Sequence, residues 1–193
     1  MGAAAIRDQA EAFGFNSGFE IPLRAATSLF PQDPDAPQTA LSAIGQFEVR
    51  ATALQMAMVA ASIGSSGRTM TPYLVQEIRG PDLSILQTTE PSQFEDALKP
   101  SNSLSLTEML VNVVENGTGS NAKIDGVRVA GKTGTAQTGN DSPSVAWFIS
   151  FAPAAAPKVA VAVVIEESGF AEVSGNGLAA PIAKEVMKFK LKP

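Results

Sequence analysis

The stretch Val129-Ala130-Gly131-Lys132-Thr133-Gly134-Thr135-Ala136-Gln137 is the most informative part of the sequence. It combines a lysine, threonine hydroxyls and glycines, and its threonines and glycines favour an extended strand over a helix. A cation and hydroxyls along one strand can bind a peptide carboxylate and polarise a carbonyl without histidine or metal. We therefore expect this stretch to be a strand that lines a binding cleft.

Four residues of this strand are the candidate site residues: Lys132, Thr133, Gly134 and Thr135. Lys132 and Thr133 offer a cation and a hydroxyl for a carboxylate, and Gly134 lacks the side chain that would block a substrate. The backbone N–H of Thr135 can serve as half of an oxyanion hole. Lys-Thr-Gly also occurs by chance in turns with a solvated lysine, so the neighbouring motifs have to decide between these interpretations.

The same region also fits a nucleotide-binding pattern. Residues 126–133 match G-x-x-x-x-G-K-[ST], the phosphate loop. That loop requires a helix that begins at its Lys-Thr, where backbone amides bind phosphate. Here the residues before Lys132 include Val-Arg-Val, which prefers β structure, and the residues after it are poor helix formers. The sequence context disfavours the nucleotide interpretation.

Composition narrows the possible chemistry. The chain has 193 residues, 45% of them hydrophobic, and a net charge of -5, which fits a globular core and argues against a nucleic-acid surface. It contains no His and no Cys, so a Ser-His-Asp triad, thiol catalysis and His- or Cys-ligated metals are excluded within this chain. A nucleophile within this chain must be Ser, Thr, Tyr, Lys or a carboxylate.

The order of predicted elements indicates an α+β fold, with an antiparallel β-sheet flanked by helices. Residues 16–44 are predicted to form an irregular surface loop, because residues 31–37 are rich in proline. Met56, Met58 and Trp147 are interpreted as packing residues. Helices are predicted over 3–13, 52–63, 105–114 (from a capping box at 105–108) and 177–190, and strands over 72–79, 127–129, 132–138, 145–151 and 159–166.

Further motifs accompany the strand in a defined order. They are Gly45-Gln46, Ala51-Thr52-Ala53-Leu54-Gln55-Met56-Ala57, Gly117-Thr118-Gly119, Ala146-Trp147-Phe148-Ile149 with Ala152-Pro153, and Ala179-Ala180-Pro181-Ile182. Together with Gly131-Lys132-Thr133-Gly134-Thr135-Ala136-Gln137, these motifs resemble the transpeptidase domain of class B penicillin-binding proteins. Ala53 stands where the family has proline. The resemblance covers most of the chain after residue 40.

The resemblance implies a penicillin-binding/serine β-lactamase-like fold, with active strand, sheet and closing helix in residues 126–193. It implies a D,D-transpeptidase that cross-links peptidoglycan by serine acyl transfer at the extracytoplasmic face of the bacterial cytoplasmic membrane. Lys132 to Thr135 would line the catalytic cleft. Implied partners are D-Ala-D-Ala stem peptides, β-lactams and other cell-wall synthesis proteins, and the resemblance implies no metal or organic cofactor; the net charge argues against nucleic acid. A penicillin-sensing receptor domain is the alternative.

Two motifs of the family are missing from their expected positions. The nucleophile of the family lies in Ser-x-x-Lys and its second motif is Ser-x-Asn, and both precede the segments matched here. Residues 120–123 and 174–176 fit these patterns, but the first lies in a loop-like stretch and the second follows the strand.

The nucleophile is therefore expected outside this chain, in an N-terminal portion that carries both motifs. Residues 1–193 are interpreted as the C-terminal portion of the domain, without its anchor. The chain is either one piece of a nicked or discontinuous polypeptide or a catalytically empty fragment. The first is favoured, because the 52–63 helix and one sheet face would otherwise be bare.

Overall fold

The computed structural model describes residues 2–23, 25–136, 144–166 and 173–192. Its centre is an antiparallel sheet of three strands in the order β5-β6-β7. Two small two-stranded sheets, β1-β4 and β2-β3, lie outside it. The elements are α1 Ala3–Ala12, α2 Ala36–Ser42, α3 Ala53–Gly64, β1 Arg68–Met70, β2 Glu77–Arg79, β3 Ile85–Thr88, β4 Gln93–Asp96, α4 Pro100–Asn116, β5 Ala130–Ala136, β6 Val145–Ala152, β7 Val159–Ile165 and α5 Ala180–Leu191.

Helices cover both faces of the central sheet. On one face Phe148 and Val161 pack in a buried cluster with Val114 of α4 and Met187 of α5. On the other face Phe151 packs with residues of α3 and α4. Successive side chains of a strand point to opposite faces, so β6, the middle strand, is largely buried on both sides. The predicted α+β fold with an antiparallel sheet flanked by helices is confirmed.

Helix α3 follows its sequence signals closely. Thr52 is the N-cap, and its side chain accepts a hydrogen bond from the Gln55 N–H, which satisfies one of the free amides of the first turn. Met58 is buried, as its packing role requires. The helix ends at Gly64, one residue beyond the predicted end.

The start of α4 differs from the prediction. The helix begins at Pro100 and ends at Asn116, so the Ser105-x-x-Glu108 pattern is not a capping box. Ser105 lies inside the helix, where its hydroxyl donates to the Ser101 carbonyl. Proline suits the first turn because its missing N–H has no partner there anyway. It therefore decides where this helix begins.

Two predicted segments before α4 are wrong in detail. The predicted loop over 16–44 contains α2, which a capping box between Asp35 and Gln38 opens with proline in its first turn. Residues 36 and 37 are thus helical despite the proline-rich sequence. In the predicted strand 72–79, only the last three residues are β2. The short strands β1, β3 and β4 were not predicted.

The C-terminal region agrees better with its predicted elements. Residues 127–129 form only an isolated bridge between Ile124 and Val127, so the strand predicted there is wrong. β5 covers the predicted strand as far as Ala136, and positions 137 and 138 lie outside the described residues. The closing helix begins with a π-helical turn, Gly175–Ala179, before α5. No described helix has both the length and the apolar character needed to cross a membrane.

Candidate active site

Strand β5 lies at the edge of the central sheet. It pairs with β6 from Ala130 to Ala136, and within the described ranges no strand pairs with its other side. An edge strand leaves alternate backbone N–H and C=O groups free for another chain. Lys132 is exposed, and its Nζ donates to the Thr133 carbonyl at 2.8 Å. The predicted site residues therefore form an accessible polar edge.

This edge opens onto a cavity of about 500 Å³. Lys132, Thr133, Gly134 and Thr135 all line it, which brings the four predicted site residues together. The opposite wall consists of α1 and the segments around α2 and α3, including Phe13, Phe30 and Ile44. The cavity thus combines a polar strand with a mainly apolar wall, as ligand sites commonly do.

Trp147 and Met56 lie in the predicted strand and helix and border the cavity. Trp147 pairs with Gly134 across the two strands, and directly opposed residues share one face of a sheet. It is half-buried and lines the cavity, as does Met56. The interpretation of these two residues as packing residues stays a prediction.

Two residues that do not line the cavity, Thr118 and Gly175, contact β5 or pack against it. The Thr118 hydroxyl lies 3.0 Å from the Thr133 hydroxyl. Gly175 is buried against the main chain: a Cβ added there would lie 2.2 Å from the Trp147 carbonyl oxygen and 3.1 Å from the Gly134 nitrogen. The sequence analysis did not predict this close packing of Gly175 against the two strands.

The structure also shows where residues 120–123 and 174–176 lie, the two segments that fit Ser-x-x-Lys and Ser-x-Asn. Ser120 lies in a 3₁₀ turn, Ser120–Ala122, and its hydroxyl accepts from the Asn176 side chain at 3.4 Å. The Lys123 ammonium lies 3.9 Å from Glu115 instead, so this lysine does not activate Ser120. Ser174 caps the π-helical turn by accepting from the Gly177 N–H. Their contacts show structural roles for both serines.

The nucleotide interpretation and a metal site find no support in the described part of the chain. Lys132 is in the middle of a strand, not at a helix N-terminus where amides would bind phosphate. No group of three or more carboxylates that could hold a metal ion occurs among the described residues. The polar groups that β5 offers to the cavity are those of Lys132, of the threonine side chains and of the main chain.

Comparison with known proteins gives consistent matches. The family of the penicillin binding protein transpeptidase domain matches residues 1–188. The peptidoglycan D,D-transpeptidase PbpA of Mycolicibacterium smegmatis is 41% identical over 99% of this chain and 40% of its own length. The crystal structure of PBPA from Mycobacterium tuberculosis superposes with a TM-score of 0.90 at 41% identity, over 99% of this chain and 46% of that chain.

A further similar structure carries a bound antibiotic. It is the imipenem acyl-enzyme complex of penicillin-binding protein A from M. tuberculosis, with a TM-score of 0.89 and 42% identity, and it covers 99% of this chain and 42% of that chain. The chain thus spans about 40% of the length of PbpA. The fold, the edge strand and these matches agree, and the chain belongs to the penicillin-binding protein transpeptidase domain family, within its class B members.

Proposed function

We propose that this chain supplies the strand side of the cleft of a D,D-transpeptidase that cross-links peptidoglycan stem peptides and is acylated by β-lactams. The observation that carries the proposal is the free edge of β5, where Lys132 to Thr135 open onto the cavity. The class of reaction is serine acyl transfer: a serine attacks the penultimate D-Ala carbonyl, D-Ala leaves, and the amine of a second peptide resolves the acyl-enzyme.

The free edge provides a way to bind an extended peptide. A stem peptide can add as a further strand beside β5 through main-chain hydrogen bonds. The hydroxyls of Thr133 and Thr135 then bind its terminal carboxylate, or the carboxylate of a β-lactam. The N–H of Thr135 serves as one oxyanion donor. Lys132 supplies positive potential and joins the proton network around the nucleophile.

The serine nucleophile is proposed to come from a segment outside these 193 residues that fills part of the cavity. The apolar wall supports this, because covering apolar surface stabilises by about 25 cal/mol per Å².

The proposed substrates and setting follow from this chemistry. The partners are stem peptides ending in D-Ala-D-Ala, β-lactams, the segment with Ser-x-x-Lys and Ser-x-Asn, and other cell-wall synthesis proteins. The site acts outside the cytoplasm, where peptidoglycan is cross-linked, and the membrane anchor lies outside this chain. No metal or organic cofactor takes part.

The test uses the full-length protein and a D-Ala-D-Ala peptide with an acceptor amine. Thr133→Val should slow acylation by penicillin by about 1–3 kcal/mol of activation free energy, because it removes a hydrogen bond to a charged group. Thr133→Ser should keep most of the rate. Thr88→Val, on the exposed strand β3, is the matched control and should change nothing.

Peptide exchange separates the two functions that share this fold. A transpeptidase exchanges the terminal D-Ala for the acceptor amine, whereas a penicillin-sensing receptor is acylated by penicillin without exchange. Absence of exchange with intact acylation would favour the receptor. Absence of acylation in the folded full-length protein would reject the proposed function.

A further inference from the structure

We infer that Asn176 and Thr118 are positioning residues, which set the Thr133 hydroxyl for its carboxylate through a hydrogen-bonded chain that runs behind β5. This series of hydrogen bonds links the π-helical turn, the turn after α4 and the edge strand. The inference rests on the proposed function, since it concerns the carboxylate contact of the same site.

The first link is the clamp between Asn176 and the 3₁₀ turn. The Asn121 backbone N–H donates to the Asn176 side-chain oxygen at 3.0 Å. The Asn121 side-chain amide donates to the Asn176 carbonyl, also at 3.0 Å. The Asn176 side-chain amide donates to the Ser120 hydroxyl at 3.4 Å. Three hydrogen bonds thus join two segments that are far apart in sequence.

The second link is the turn itself. Gly119 is buried, and a Cβ there would lie 3.3 Å from both the Phe148 ring and Val113. The Gly119 N–H donates to the Val113 carbonyl at 2.9 Å, and the Ala122 N–H donates to the Gly119 carbonyl at 3.0 Å. The turn is therefore held at α4 on one side and at Asn176 on the other. Thr118 lies directly before Gly119 and two residues before Ser120, so it adjoins both attachments.

The third link reaches the site. The hydroxyls of Thr118 and Thr133 are 3.0 Å apart, and either can donate to the other. When Thr133 donates its proton to a ligand carboxylate, its oxygen is free to accept from Thr118. A hydroxyl that accepts one hydrogen bond while it donates another is polarised and fixed in rotamer. Thr118 therefore orders Thr133 as a donor toward the carboxylate.

The clamp formed by Asn176 lies next to β5. Gly175, the neighbour of Asn176, packs against the main chain of Gly134 and Trp147. Thr118 and Ser120 are exposed, and Asn176 is half-buried, so their removal takes little from the core. An effect of these residues on acylation that exceeds their effect on stability is thus the expected signature of positioning.

The experiment measures acylation of the full-length protein by benzylpenicillin, together with its melting temperature. Thr118→Val should lower the second-order acylation rate roughly three- to tenfold, the loss of one hydrogen bond, and Thr118→Ser should restore it. Asn176→Ala should lower the rate in the same direction, and Asn176→Asp, which keeps an acceptor for the Asn121 N–H, should restore part of it. Asn112→Ala, at an exposed pair with Asn116 on α4, is the matched control.

Double mutants decide whether the residues act through Thr133. In a Thr133→Val background, Thr118→Val should have almost no further effect, because the hydroxyl that it orders is gone. Equal losses in both backgrounds would overturn the inference, as would wild-type rates for Thr118→Val and Asn176→Ala. If Asn176→Ala does not fold, the Thr118 series alone gives the answer. Failure of the wild-type protein to be acylated would instead reject the proposed function.

Discussion

Gly175 shows how a position without a side chain decides where the edge strand lies. A Cβ at this position would come within 2.2 Å of the Trp147 carbonyl oxygen, and backbone atoms cannot move aside cheaply. We expect Gly175→Ala to lower the free energy of unfolding by roughly 1–3 kcal/mol, the usual cost of overpacking. Chemical denaturation measures this. Gly18→Ala is the control, since its Cβ would meet only the Thr27 hydroxyl at 4.0 Å, and an equal loss there would argue against close packing as the cause.

At the residue scale, local chemistry was predictable and long-range support was not. Lys132 to Thr135 could be predicted as candidate site residues because a cation, hydroxyls and a glycine on one strand have the chemistry to bind a carboxylate. The roles of Gly175 and Asn176 depend on contacts with Gly134 and Asn121. No local pattern in the sequence encodes such contacts. The position of Trp147 beside the cavity could not be predicted either, since only the sheet register shows which residue it opposes.

Helices α3 and α4 provide a matched test of N-capping. Thr52 accepts the Gln55 N–H at the start of α3, so Thr52→Ala should cost about 0.5–2 kcal/mol of stability. Ser105 lies inside α4, and its one hydrogen bond to another described residue is to the Ser101 carbonyl. Ser105→Ala should therefore be neutral or slightly stabilising, because alanine has the higher helix propensity. Thermal melts of both variants check this, and a larger loss for Ser105→Ala would mean that α4 begins at the capping-box pattern after all.

A carboxylate ties α1 to the segment that follows it. The side-chain amides of Asn16 and Gln32 both donate to Glu11, at 3.0 and 3.1 Å. These hydrogen bonds lower the pKa of Glu11, so its stabilising effect is complete above the ordinary carboxyl pKa of about 4.3 and is lost as the pH falls through the lowered value. Glu11→Gln should reduce the loss of stability on acidification below about pH 4.3.

Melting temperatures at neutral and acidic pH measure this difference. Glu20→Gln, at an exposed position, is the matched control and should leave the pH dependence unchanged. An unchanged pH dependence in Glu11→Gln as well would show that the tie between α1 and residues 16 and 32 is not sensitive to this carboxyl.

At the element scale, predictions succeeded where one face of an element is buried. The central strands alternate or are continuously apolar because they pack against helices, and this pattern is visible in the sequence. Strand β3 is exposed along its whole length, so it carries no such pattern and was missed. Proline was read as a breaker around residues 31–37, but next to the Asp35 cap it begins α2. Its effect depends on its position within the turn.

At the scale of the whole molecule, the proposed function gives the described residues the binding side of an acyl-transfer site and leaves the nucleophile to another segment. Three lysine ammonium groups have polar contacts in the described ranges, with the Thr133 carbonyl, Glu115 and Glu185. None of these three contacts a hydroxyl there. A nucleophile outside this chain stays a prediction of the sequence, because the absence of histidine leaves only lysine-type activation and the one Ser-x-x-Lys pattern is in a turn. What it could not show was the shape of the cavity, which arises from α1, α2 and β5 together.

If the nucleophile lies outside this chain, penicillin should react with a longer form of the protein and not with these 193 residues alone. Opening of a β-lactam requires an activated hydroxyl, so a polypeptide of these 193 residues should not form a covalent adduct with labelled penicillin, whereas a longer form that carries Ser-x-x-Lys and Ser-x-Asn should. Intact-mass spectrometry measures the adduct. Near-ultraviolet circular dichroism of Trp147, the single tryptophan, shows whether the chain is folded in the assay.

Ser120→Ala in the longer form should acylate within a few-fold of wild type, because Ser120 is held by Asn176 and not by a lysine. A stoichiometric adduct on the folded 193-residue chain would show that the nucleophile lies within it, and loss of that adduct in Ser120→Ala would identify the residue.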